Sequence, residues 1–178
     1  MRRRPRSGNW GGGRGENLLD GGAPFYDTYE TADGRHVALG ALEPKFFAEL
    51  ARRLGLDERF VKRQYDRKLW PEMREAIAAA VRTKTRDEWC SALEGSDACF
   101  APVLSLEEAP RHAHAQARGA FVTLDGVVQP APAPRFGRSV PGTPRPAPVI
   151  GVHTEAVLAE AGYTPDEIAA LRRGGTIL

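Results

Sequence analysis

Between Pro130 and Pro148 the chain carries seven prolines, at 130, 132, 134, 141, 144, 146 and 148. Each fixes φ near −65° and removes a backbone donor, so this stretch cannot be a helix interior or a central strand. It reads as an extended strap laid over a surface, and the rest of the chain must be organised around it. Residues 18–129 are expected to form a small α+β unit, 130–150 the strap, and 151–178 a terminal helical segment carried off to dock elsewhere. Residues 1–17 are polar, Gly-rich and basic, which predicts an unstructured leader.

Within the small unit the pattern is specific. Phe25, Asp27, Tyr29 and Thr31 alternate with Tyr26, Thr28 and Glu30, the period of a strand. Asp33-Gly34 is a hairpin turn signal, and His36 to Gly40 reads as the returning strand. Pro44 suits a first helical turn, and Phe46, Phe47, Leu50, Ala51 and Leu54 recur at helical spacing until Gly55. A second helix is predicted from Pro71, with Met73, Ile77, Ala80 and Val81 on one face. A third opens at Thr85, where Thr85 and Glu88 match a capping box. Phe100 to Leu104 is a short apolar run with strand character. Ser105 and Glu108 suggest another capping box and a short helix toward His112. Asp125-Gly126 marks a second hairpin. Beyond the strap, a helix is predicted from Thr154 to Gly162. Another is capped by Thr164 and Glu167 and stopped at Gly174-Gly175.

The function classes narrow quickly. A net charge of +2, much of its basic excess in Arg2, Arg3, Arg4 and Arg6, argues against a protein built to grip nucleic acid. No apolar run approaches the roughly 20 residues needed to cross a membrane. The basic N-terminus lacks the apolar stretch of a secretion signal. Cys90 and Cys99 have neither CxxC nor disulfide-framework spacing, so two buried thiols in a reducing cytoplasm are expected. There is no P-loop, dinucleotide fingerprint or GxSxG, and no cofactor or metal is called for. His36, His112, His114 and His153 have no carboxylate or nucleophile at triad or metal spacing. His112 and His114 would point apart in a short helix, and His153 is expected to cap locally.

One carboxylate stands out. Glu43 sits between the apolar strand end Ala38 to Leu42 and Pro44, where Ser, Thr, Asp or Asn are the usual caps. It either favours the helix dipole, worth a few tenths of a kcal/mol, or is held rigidly to face a cleft.

The segments RGENLLDGGAPFY (Arg14 to Tyr26), GALEPKF (Gly40 to Phe46), WPEM (Trp70 to Met73), TRDEWC (Thr85 to Cys90) and DACFAPVL (Asp97 to Leu104) closely resemble the α-methylacyl-CoA racemases of CoA-transferase family III. ARGAF (Ala117 to Phe121), PAPRF (Pro132 to Phe136) and GVHTE (Gly151 to Glu155) resemble the tail shared across that family. The resemblance covers nearly everything from Arg14 onward. It implies interlocked dimers in which the chain leaves a large CoA-binding domain, builds a small one and returns, as the strap suggests.

The chemistry implied is inversion of a methyl-bearing carbon beside a thioester, by deprotonation to an enolate and reprotonation on the opposite face. That requires two acid–base groups and donors for the enolate oxygen. In the family the two groups are a histidine and an aspartate of the large domain, upstream of the matched segment, so the chain alone is expected to be inactive. By the same resemblance Glu43 orients the catalytic histidine without being the main base, and Tyr26 and Leu42 belong to the acyl-binding side. The ligand implied is an acyl-CoA thioester, with CoA as part of the substrate, in a homodimer or together with the missing half. The alternatives are a family III transferase moving CoA between carboxylic acids, or a non-catalytic interaction module derived from the small domain. The GALEP run (Gly40 to Pro44) favours the racemase.

Overall fold

In a computed structural model, residues 13–178 are described. The basic leader, Arg2 to Arg6, lies outside them. The chain divides into two compact units, one ending at Ser105 and the other spanning Leu106–Leu178. The division falls inside the 18–129 span.

The first unit is an antiparallel three-stranded sheet with helices packed on one face. β1 (Tyr26–Glu30) pairs with β2 (His36–Gly40) in the register Tyr26↔Gly40 and Glu30↔His36, and β2 pairs with β3 (Phe100–Pro102). The five-residue hairpin loop is closed by the Thr31 hydroxyl. It donates to Asp33 at 2.5 Å, and the Arg35 carbonyl at 2.9 Å shares the same proton. α1 (Pro44–Leu54) begins on its proline and ends on Gly55, whose φ is +70°. The Gly55 and Leu56 amides donate to the carbonyls of Arg52 and Ala51, the pairing of a Schellman stop. α2 (Glu58–Lys62), α3 (Trp70–Val81) and α4 (Arg86–Leu93) follow, and Thr85 and Glu88 close the expected capping box.

Strand alternation and helical periodicity converge on one core. Phe25, Tyr29, Val37 and Leu39 from the sheet layer meet Phe47 and Leu50 of α1, Met73 and Ile77 of α3, and Trp89 of α4. Phe25 is fully buried and touched by three rings, Phe47 at 5.5 Å, Tyr65 at 5.6 Å and Trp70 at 5.8 Å, the last two edge-on. That geometry suits aromatic quadrupoles.

In the second unit α5 (Ala113–Ala117) precedes a hairpin of β4 (Phe121–Leu124) and β5 (Val127–Pro130). Asp125 and Gly126 both take positive φ, +48° and +77°, as a two-residue type I′ turn requires. Residues 131–149 form no helix or strand, in keeping with their prolines. α6 (Thr154–Glu160) and α7 (Pro165–Arg173) close the chain, and Thr164 and Glu167 form the predicted capping box.

Four expectations change. No α-helix starts at Ser105: residues 106–108 turn and only a 3₁₀ segment forms at Ala109–Arg111. Pro110 would fall inside a helix begun at Ser105 and clash with the preceding turn. His153 precedes α6, but its side chain makes no capping hydrogen bond, because imidazole lacks the short acceptor that caps use. Cys99 is exposed and Cys90 half-buried, where two buried thiols were expected. Cys99 lies in the turn entering edge strand β3, at φ +50°. Asn17, assigned to the leader, is buried, donating to the Gly13 carbonyl at 2.9 Å and to Asp20 at 2.6 Å.

Candidate functional site

The helices cover one face of the sheet, and the other carries a groove of about 540 Å³. Its floor is made of small residues, Thr28, Ala38, Gly40 and Ala101, which cross-strand register places side by side. Tyr26 stands over it as the one large ring of the β1–β2 part of that face, 36% exposed, directly opposite Gly40. The loop residues Asp20 and Gly21 close one side and Cys99 the other. A flat, slender apolar group fits such a surface.

The groove's two carboxylates are already engaged. Asp20 accepts the amides of Gly15 at 3.2 Å and Asn17 at 2.7 Å. The Asn17 side chain is the first cause holding its carboxyl below the usual range. Asp27 pairs with Arg74 of α3. Neither is poised to exchange a proton with a ligand.

Glu43 is different. It is the N-cap residue of α1, with extended backbone at φ −74° and ψ 141°, and its side chain makes no capping bond. Exposed at the strand–helix junction, it lies outside the groove's lining but within electrostatic reach of it. Partial desolvation by neighbouring atoms raises the Cys99 thiol, and the carboxylates of Glu43 and Asp97 add to the effect. Leu42, half-buried, packs its side chain against the core. Its amide donates to the Gly40 carbonyl at 2.8 Å, tightening the link into α1. The three expected site residues thus occupy one corner of the unit. Tyr26 stands in the groove, Leu42 anchors the junction and Glu43 projects from it.

Two neighbours were missed in the sequence. Gln64 and Tyr65 follow α2 and both donate to the Leu42 carbonyl, Gln64 at 2.9 Å. They lie in a polar stretch without periodicity. Asp57, which caps α2 by accepting the Arg59 amide at 2.8 Å, was the available signal that it is structured. Among the described residues no cluster of three or more His, Cys, Asp or Glu could hold a metal, and no helix is long and apolar enough to cross a membrane.

The sequence model of CoA-transferase family III matches residues 6–154. The chain belongs to CoA-transferase family III. It is 46% identical over 168 residues to the α-methylacyl-CoA racemase of Mus musculus, covering 92% of this chain and 44% of that protein. To the Homo sapiens racemase it is 44% identical over 165 residues, covering 91% and 43%. The chain therefore spans less than half the length of these relatives. The fold agrees with the family. A CAIB/BAIF family protein from Brucella suis superimposes with a TM-score of 0.57 at 20% identity, covering 76% of this chain and 37% of that one. A hypothetical protein from Mycobacterium tuberculosis gives 0.59 at 17%, covering 74% and 38%.

Proposed function

We propose that this chain forms the small-domain side of an α-methylacyl-CoA racemase site, where the 2-methyl centre of an acyl-CoA thioester is inverted through an enolate. The observation that carries the reading is Glu43. It is a carboxylate on a rigid strand–helix junction, without hydrogen bond or ion pair among the described residues, beside a groove with an aromatic wall. Asp20 and Asp27 of the groove have structural partners, whereas the Glu43 carboxylate, at the start of α1, is unspent. Its role is to orient the histidine of the catalytic pair, which in the family belongs to the large domain. A carboxylate facing an imidazole fixes tautomer and ring direction. Tyr26 and the small-residue floor accept the acyl chain, with Leu42 supporting the wall from the core.

The reading carries with it an acyl-CoA thioester ligand, a homodimeric assembly and a cytoplasmic setting. It needs no cofactor beyond the CoA that the substrate already bears. It also predicts that these 178 residues alone do not exchange the α-proton, since two acid–base groups on opposite faces are required.

The test is α-proton exchange in a 2-methylacyl-CoA in heavy water. It is run with the chain alone, and with a chimera in which the chain replaces the matching part of the mouse racemase. No exchange by the chain and racemisation by the chimera are expected. Exchange by the chain alone overturns its predicted inactivity. A folded chimera that moves CoA between carboxylic acids without inverting the centre overturns the racemase reading.

A further inference from the structure

We propose that Tyr65 is a positioning residue for Glu43, acting through the Leu42 carbonyl; its consequence for turnover rests on the reading of Glu43 given above. The geometry is a clamp built from two adjacent side chains. Gln64 Nε2 donates to the Ala41 carbonyl at 3.1 Å and to the Leu42 carbonyl at 2.9 Å, and the Tyr65 hydroxyl donates to the same Leu42 oxygen. Both lone pairs of that oxygen are therefore used.

Each arm of the clamp is anchored in the core. The Gln64 carbonyl accepts the Trp70 indole N–H at 2.9 Å, and the Tyr65 ring packs edge-on against Phe25. The Leu42 carbonyl and the Glu43 amide belong to one planar peptide. Gripping that oxygen therefore fixes the plane from which Glu43 departs. On its other side Glu43 is held by α1, whose Phe46 and Phe47 amides both donate to its carbonyl at 3.0 Å. Its backbone is pinned at both ends, and only side-chain torsions remain.

Tyr65 is 51% exposed, and Tyr65→Phe keeps the ring that packs against Phe25 while removing only the hydroxyl. Gln64 is buried, and its Oε1 has no hydrogen-bond partner in the structure, so replacing it would confound stability with position. Cys99 supplies a built-in reporter. Its carbonyl accepts the Gly40 amide at 2.8 Å, which fixes it beside the junction, where the carboxylates of Glu43 and Asp97 both push its thiol up.

The experiment follows alkylation of Cys99 in the full 178-residue chain by iodoacetamide between pH 7 and 10, read by peptide mass to separate it from Cys90. Glu43→Gln removes the charge and is expected to speed the reaction at pH 8 by about two- to threefold, the scale of one nearby charge in water. Tyr65→Phe, which keeps the ring and loses the hydroxyl, is expected to give about half of that change. In the Glu43→Gln background the same substitution is expected to add nothing, a non-additivity that a general loosening would not produce. No change on Tyr65→Phe, or an equal change in both backgrounds, overturns the proposal.

The chimeric racemase provides the second arm. Tyr65→Phe is expected to lower kcat about three- to tenfold with KM unchanged, the signature of an interaction made in the transition state. If Glu43→Gln leaves turnover of an active chimera unaltered, the role given to Glu43 is wrong. The alkylation result then still decides whether Tyr65 positions it.

Discussion

Arg74 of α3 reaches past the edge of the sheet to pair with Asp27 of β1, and it also donates to the carbonyls of Gly21 at 2.7 Å and Gly22 at 3.0 Å. One guanidinium thus ties the helix layer, the first strand and the loop bordering the groove. Three acceptors lose their donor together when it is removed, and Asp27 is left without its counter-charge. Arg74→Met keeps most of the stem's packing and should destabilise the chain by about 2 kcal/mol, read as a lower urea midpoint. A change below about 0.5 kcal/mol would show that water replaces the guanidinium without loss.

The same loop contains a glycine whose need is steric. A Cβ on Gly22 would stand 2.4 Å from the Asn17 carbonyl oxygen and 2.6 Å from the Asn17 nitrogen, both backbone atoms. The loop cannot yield there without breaking the bond from the Gly22 amide to that oxygen, at 3.0 Å. Gly22→Ala is expected to cost more than about 2 kcal/mol. Gly142→Ala, where nothing lies within 4 Å, should fall within about 0.5 kcal/mol of the parent. Equal melting temperatures for the two variants would refute the close approach.

Acid should destabilise the fold through its carboxylates. Glu49 of α1 accepts from Arg52 at 2.9 and 3.0 Å and from Arg53 at 2.5 Å, which holds its carboxyl down to about 2. A folded pKa below the unfolded one contributes stability above the ordinary value of 4.5, and that contribution fades as pH falls toward about 2. Asp20, Asp33, Asp66, Glu88 and Glu167 are lowered in the same direction by hydrogen bonds. Thermal melts should therefore show Tm dropping steadily from pH 5 to pH 2.5. Glu49→Gln should melt lower at neutral pH and converge on the parent in acid; parallel curves would count against the Glu49 contribution.

Cys90 is pushed up to about 11, chiefly by burial and then by Glu94. The thiolate is the reacting form, so at pH 7.5 Cys90 should be alkylated at least about tenfold more slowly than a free cysteine. Peptide mass spectrometry over a time course measures this directly. A rate matching free cysteine would mean that the thiol spends its time in solvent.

Much of this architecture was legible because the signals are local. Pro44 and Gly55 bound α1, Thr85 with Glu88 and Thr164 with Glu167 close capping boxes, and Asp125-Gly126 turns a hairpin. Each works through contacts within a few residues, so spacing alone reveals it. The failed helix has an equally local cause: Ser105 and Glu108 carried a helix-start signal that Pro110 annulled. Glu43 was visible as an odd cap, yet whether it served the dipole or faced a cleft stayed open at the level of residues.

The sequence by itself determined most of the helices, strands and turns, and the family, because backbone propensity and turn chemistry are encoded over short spans. Only the tertiary structure decided what surrounds Glu43. Gln64 and Tyr65 meet the Leu42 carbonyl from more than twenty residues away, and Arg74 meets Asp27 across 47. Such contacts depend on how the core around Phe25 packs, and no periodicity along the chain encodes where two distant side chains will converge.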